Sequence, residues 1–134
     1  MDSEKITINL GAVDLGKVDL LVEEGFYQNR TDFIRTAIRN QLAKHDSEMN
    51  QTITRKAMAV GALHYSGSDL ERHLADGHKL SISVVGLLSI GNDASPDLAR
   101  QVIESITVHG VFRASQAVKD ALADRTRQPG RRQE

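Results

Sequence analysis

The chain contains no cysteine and no tryptophan, and only 4% of its 134 residues are aromatic. Without cysteine it has no disulfide framework, thiol nucleophile or thiolate metal site, and this composition fits a reducing compartment. Long apolar runs are also missing, since no window approaches the roughly 18 consecutive apolar residues of a membrane-spanning helix. The N-terminus has no basic region followed by an apolar one, so we expect no secretory leader. These absences predict a cytoplasmic protein without a membrane partner.

A large net charge of either sign is lacking too. The chain has 17 Lys and Arg residues against 18 Asp and Glu, which gives a formal net charge of −1. Taken alone, this balance argues against nucleic-acid binding, although the positions of the charges matter more for such binding than their sum. Residues 1–50 carry six bases and nine acids, whereas 51–134 carry eleven bases and nine acids. Most of the basic excess lies in the last ten residues.

Composition along the chain predicts two small units and a tail. The polar stretch from Lys44 to Thr52 is typical of a helix end followed by a linker. We therefore expect units at 1–50 and 52–125, with a disordered Arg-rich tail at 126–134. A unit of about 50 residues rarely buries enough apolar area to be stable alone. We therefore expect self-association, which would bury additional apolar area.

Residues 5–10 alternate strictly between apolar and polar side chains, which predicts a strand. Its two faces consist of Ile6, Ile8 and Leu10 and of Lys5, Thr7 and Asn9. A single strand has two unpaired edges, and nothing else in this unit is typical of a strand. The simplest partner is the same strand of a second chain.

Two helices should follow. Apolar residues with helical spacing begin near Ala12, and Gly25 is a suitable C-terminal stop. Asn29 is placed to cap a second helix, and Asp32 three residues later completes an arrangement like a capping box.

This order of strand, helix, glycine turn and capped helix resembles the ribbon-helix-helix family of the MetJ, Arc and CopG type. The resemblance covers residues 1–45 and implies an intermolecular antiparallel ribbon lying in the major groove of double-stranded DNA. It assigns base contacts to Lys5, Thr7 and Asn9 and phosphate contacts to Asn29, Arg30 and Thr31. Lys, Thr and Asn have suitable donors and acceptors for base edges, and a helix N-terminus suits a phosphate. The alternative roles are a solvated strand face and plain helix capping.

The second half contains an internal repeat that becomes visible when its glycines are aligned. Three apolar segments surround Gly61, Gly86 and Gly110, and each precedes a helical stretch with a serine at its start. Three such units in series predict parallel strands with right-handed crossovers, as in a small βα solenoid. We expect the glycine-bearing face to pack against the helices.

The opposite face of the predicted sheet has an apolar centre formed by Val85, Leu87 and Val111. An apolar centre and open sheet edges favour self-association, which would close a dimer or a higher oligomer. Docking of another protein and stacking along DNA are the alternatives. The fold class is therefore an α+β ribbon-helix-helix unit, followed by a small α/β unit of three βα repeats with a parallel sheet.

These patterns predict a bacterial-type, sequence-specific DNA-binding regulator, most simply a repressor. Two alternatives are an antitoxin that binds a toxin and represses its own operon, and a DNA-coating or partition-type protein. The domain order is also similar to nickel-responsive regulators, but the chain lacks their Cys and His-x-His ligands. The sequence contains no nucleophile with a base at motif spacing and no glycine-rich phosphate loop, so nothing in it indicates an enzyme. We expect no cofactor and no metal.

Overall fold

The computed structural model describes residues 3–131, and the chain divides into two compact units, Met1–Arg55 and Lys56–Glu134. In its described residues the first unit contains three helices: α1 (Ala12–Glu23), α2 (Arg30–Lys44) and α3 (Asp46–Arg55). Residues 3–11 precede them and have no regular secondary structure in the single chain. None of the helices within residues 3–131 has the length and apolar character needed to cross a membrane.

The turn between α1 and α2 follows from one glycine and one asparagine. Gly25 adopts a φ of +88°, and the next N–H, of Phe26, donates to the carbonyl of Leu21 at 3.0 Å. This is the pattern of a helix that ends in a left-handed residue. Asn29 Oδ1 then accepts a hydrogen bond from the N–H of Asp32 at 2.8 Å. The predicted helix stop and helix cap are both confirmed.

Helix α3 corrects the predicted linker. The stretch from Lys44 to Thr52 was expected to leave the helical conformation because it is polar, yet only His45 separates α2 from α3. The stretch contains neither glycine nor proline, so its backbone can remain helical. Acids lie in the first turn of α3 and Arg55 lies in its last turn, an arrangement that stabilises a helix dipole.

The second unit is built on a parallel sheet in the order β1-β2-β3-β4. Its strands and helices, in chain order, are β1 (Ala59–Tyr65), α4 (Gly67–Ala75), β2 (Leu80–Ile90), α5 (Pro96–Val102), β3 (Ile103–Arg113), α6 (Gln116–Ala121) and β4 (Thr126–Arg127). The register pairs Gly61 with Gly86 and Gly86 with Gly110, as the repeat predicted. The three βα repeats and the parallel sheet are thus confirmed.

One face of this sheet carries the core. Its strand residues Val84, Leu88, Val108 and Phe112 are buried together with Leu70, Ala99, Val102 and Val118 from the three helices. Consecutive helices contact each other, so all three crossovers lie on the same side. The prediction that the glycine-bearing face packs against the helices is correct. The opposite face has no helix over it among the described residues of this unit.

Serines begin all three helices of the second unit, with one shift from expectation. Ser95 and Ser115 accept hydrogen bonds from the third residue of α5 and α6, as their positions predicted. At the start of α4, Ser68 and Glu71 also have the spacing of a capping box. The cap is instead Ser66, two residues earlier, which forms a reciprocal capping box with Asp69.

The predicted disordered tail is wrong where it can be compared with the structure. Thr126–Arg127 pair with β3 as a fourth strand, and a 3-10 turn follows at Pro129–Arg131. Arg125, just before this strand, donates to the carbonyls of Arg100 and Ile103, and its side chain is largely covered. Hydrogen bonds from Arg125 and then Arg100 hold the pKa of Asp124 below its usual range. Residues 132–134 lie outside the described part.

Candidate nucleic-acid interface

The predicted ribbon segment is fully exposed in the single chain. Every residue from 3 to 10 is exposed, and the alternating apolar side chains of Ile6, Ile8 and Leu10 have exposed fractions of 75%, 60% and 43%. Apolar side chains at every second position are suited to one covered face of a sheet. A single chain has nothing to cover them, so the segment has the pattern of a strand without its partner.

The helices of the first unit have the same deficiency. Val18 is the only buried residue among positions 3–55. Several large apolar side chains on and between the helices are exposed, namely Val13, Leu20, Phe26, Ile38 and Leu42. The turn is held locally, because the rings of Tyr27 and Phe33 meet edge to face with centroids 5.0 Å apart. A unit with so little core needs further apolar burial to be stable.

The start of α2 is a capped helix N-terminus at which the side chains of Asn29 and Arg30 are already engaged. Asn29 caps the helix through Asp32, and the Asp32 carboxylate accepts from the backbone N–H of Gln28 at 3.0 Å. Asn29 is therefore a structural cap, and its remaining contribution to a phosphate would come from the backbone. The first N–H groups of any helix have no intrahelical acceptor, which applies here to Arg30 and Thr31.

The Arg30 side chain forms an ion pair that the sequence did not reveal. Its Nε and one terminal nitrogen donate to the two carboxylate oxygens of Asp19, at 2.8 and 2.9 Å. These hydrogen bonds lower the pKa of Asp19 and raise the pKa of Arg30. The two residues are eleven positions apart on different helices, so no local spacing rule links them. A phosphate at the start of α2 would have to compete with Asp19 for Arg30.

This competition gives a testable prediction. Replacing Asp19 by asparagine releases Arg30, so DNA affinity should rise by up to about fivefold at low salt, because an exposed ion pair competes only weakly with phosphate. Arg30→Ala should weaken binding to all sequences and reduce the salt slope by about one. Titration of labelled DNA at several salt concentrations measures both. Asp14→Asn, which removes the same charge elsewhere on α1, is the control. Equal gains from Asp14→Asn and Asp19→Asn would contradict the competition.

The predicted oligomerisation residues lie together on the open sheet face. Leu87 pairs in register with Val111, and Val85 is two residues before Leu87 on the same face. All three are half-buried. Val60, in register with Val85, is 67% exposed and extends the apolar patch, although the sequence pattern did not single it out. We call Val60, Val85, Leu87 and Val111 the open-face patch.

The comparison with protein families agrees with the order of elements in the first unit. The model of the Ribbon-Helix-Helix transcriptional regulator family matches residues 1–119. The chain belongs to this family. The match extends well beyond the first three helices into the βα repeats, which the sequence patterns had left unassigned. No curated protein and no solved structure matches the chain. The protein is therefore a DNA-binding transcriptional regulator by family.

Proposed function

We propose that the protein is a sequence-specific DNA-binding repressor that dimerises through the segment at residues 3–10. The observation that carries this proposal is the alternation of exposed apolar and polar side chains along that segment, beside helices that bury only Val18. Pairing two copies of the segment would place Ile6, Ile8 and Leu10 against the exposed apolar helix surfaces of both chains. Repression would follow from occupation of the operator.

The same pairing would leave the polar face of the ribbon outward. Lys5, Thr7 and Asn9 would then lie next to one another on both strands and face the major groove. A lysine can donate to guanine, an asparagine can bridge the acceptor and donor of adenine, and a threonine offers a hydroxyl and a methyl group. The start of α2 would fix the ribbon through backbone contacts to phosphate.

Two acidic residues near the start of α2 are already bound within the protein. Asp19 is paired with Arg30, and Asp32 accepts from the backbone at the start of α2. Their charges are therefore directed toward protein donors rather than toward DNA. With a net charge of −1, electrostatic attraction to any DNA should be modest. Affinity for the operator would then depend mainly on base contacts.

Alanine substitution of the ribbon tests the proposal. We expect Thr7→Ala and Asn9→Ala each to weaken binding to an operator selected from random DNA by about 1–3 kcal/mol. Binding to unrelated DNA should be unchanged, because phosphate contacts remain. Fluorescence anisotropy on both DNAs measures the difference, with Asn40→Ala on exposed α2 as the control. Unchanged operator affinity in the double variant, with an intact fold, would refute base reading by the ribbon.

We further propose that the open-face patch joins two dimers. Purely parallel sheets are normally covered on both faces, whereas the described residues of the second unit place helices on one face only. A second copy is the favoured occupant, because each ribbon dimer would carry two such patches and two dimers could join through two contacts at once. The antitoxin alternative is less favoured, since the second unit is a folded sheet with its own core.

A single charge in the open-face patch should separate the two levels of assembly. Leu87→Asp would place a carboxylate in an apolar interface, so the higher oligomer should dissociate to dimers that still bind a half-operator. Leu74→Asp makes the same change on the exposed helix layer of the unit and should have no effect. Analytical ultracentrifugation of both variants gives the masses. A Leu87→Asp variant with the unchanged mass of the native assembly would exclude this interface.

A further inference from the structure

The carboxyl ends of the parallel strands bring three polar side chains into one row. Register pairs His64 with Ser89 and Ser89 with Arg113, one residue each from β1, β2 and β3. Neighbouring strands are about 4.8 Å apart, so these side chains are adjacent. The His64 Nδ1 and Ser89 Oγ atoms are 3.1 Å apart, within hydrogen-bond distance.

A cleft of about 520 Å³ lies beside this row. Its polar lining consists of His64, Ser89, Gly91, Asn92, Arg113 and Lys119. The cleft is wide open to solvent, so a small ligand would be held mainly by its polar side chains. The lining combines the ends of β1, β2 and β3 with the loop after β2 and with Lys119 of α6, so one small ligand could reach all of them.

Hydrogen bonds to the backbone hold the loop that forms one wall of the cleft. The N–H of Gly91 donates to the carbonyl of Tyr65 at 2.8 Å, and the Asp93 carboxylate accepts from the N–H of Gly67 at 2.9 Å. A Cβ on Gly91 would come within 2.6 Å of that carboxylate, so the loop is closely packed. The acid of this loop is therefore committed to the start of α4, and the cleft wall is preorganised.

The charge of the lining is of one sign. Lys119 is half-buried, and its Nζ lies 5.7 Å from the centroid of the Phe112 ring, which restrains the ammonium group. Arg113 contributes a second cation, although it has an interaction of its own. Among residues 3–131, no Asp or Glu lines this cleft. A smaller cleft shares His64 with this one, but its lining includes Asp69, Arg72 and Asp76 and therefore carries charges of both signs.

We propose that the cleft at the carboxyl ends of β1, β2 and β3 binds a small organic anion through a carboxylate or phosphate group. Lys119 supplies the charge, Ser89 and Asn92 supply neutral donors, and the fixed loop at Gly91 sets the size limit. The site goes beyond the proposed DNA-binding function, because none of its residues lies in the first unit. It assigns the second unit a ligand-binding role in addition to self-association.

Titration of the full chain without DNA tests the site, so the outcome does not depend on operator binding. Inorganic phosphate and succinate are added separately at constant ionic strength, with chloride as the reference anion, while amide and side-chain NMR signals are followed. We expect saturable shifts at Gly91, Asn92 and Lys119 from at least one anion, and the effective anion identifies the preferred group. Lys119→Met keeps the aliphatic packing and should weaken binding by about tenfold or more.

The matched control is Lys79→Met, which removes the same charge from an exposed position of the same unit. Shifts that survive in Lys79→Met and disappear in Lys119→Met support the site. Shifts that Lys119→Met leaves unchanged would show non-specific anion binding and overturn the proposal. The absence of saturable shifts with both anions would overturn it equally.

Discussion

Replacing Gly86 by alanine is expected to destabilise the second unit by about 3–6 kcal/mol, enough to unfold a small unit. Gly86 has a φ of +136°, a conformation that residues with a side chain rarely adopt and that costs about 1–3 kcal/mol. A Cβ at this position would also overlap the carbonyl oxygen of Gly61 on the neighbouring strand. That oxygen belongs to the backbone and cannot move aside without disturbing the sheet. Gly110→Ala should have the same effect, since its Cβ would overlap the carbonyl oxygen of Gly86.

Gly61 provides the matched control for this prediction. It occupies the same layer with a φ of +124°, but β1 is an edge strand and a Cβ added to Gly61 would meet nothing within 4 Å. Gly61→Ala should therefore cost only the backbone strain, about 1–3 kcal/mol. Urea unfolding monitored through NMR signals of Tyr65, in the second unit, gives the free energies of unfolding. If Gly61→Ala and Gly86→Ala lowered the free energy of unfolding equally, the overlap with the neighbouring strand would contribute nothing to the destabilisation.

Introducing aspartate at Ile8 is expected to abolish dimerisation of the first unit. In the proposed ribbon Ile8 faces the shared core, so each copy would bury an unpaired carboxylate at about 3–5 kcal/mol. The dissociation constant of the dimer should rise at least about a thousandfold, and operator binding should be lost with it. Sedimentation velocity over a range of protein concentrations measures the change.

Thr7→Asp separates the two faces of the ribbon. It introduces the same charge one residue away, on the face proposed to contact bases, so the dimer should persist while DNA binding is lost through repulsion by phosphate. A Thr7→Asp variant that dissociates as completely as Ile8→Asp would show that the segment does not alternate between an interface and a DNA-facing surface. An Ile8→Asp variant that remains dimeric would place the dimer interface elsewhere.

Local chemistry made much of the architecture predictable. The stop at Gly25 and the caps at Asn29 and Ser95 depend on short-range hydrogen bonds, which residue type and spacing specify. The register of the parallel sheet was predictable from the aligned glycines, because each repeat places the same positions next to one another. The buried and open faces followed from alternation along the strands.

Other features were not predictable in this way, and most of them depend on long-range contacts. Polar composition alone suggested a linker where α3 forms, since helix continuation depends on the absence of breakers more than on apolar content. The pairing of Arg30 with Asp19 requires the crossing of two helices, and the role of Arg125 requires its approach to the end of α5. Charged side chains near a chain end resemble a disordered tail until their acceptors are known.

The sequence by itself determined the family pattern, the helix boundaries around Gly25 and Asn29, and the in-register βα repeats, because each depends on periodicity or on neighbours within a few residues. The tertiary structure decided which charges are available to a ligand. It engaged Arg30 and Arg125 within the protein, paired Thr126–Arg127 with the sheet, and gathered His64, Ser89 and Lys119 around one cleft. Those contacts join residues about 10 to 55 positions apart, and only the folded backbone brings such side chains within hydrogen-bond distance or around a shared cavity.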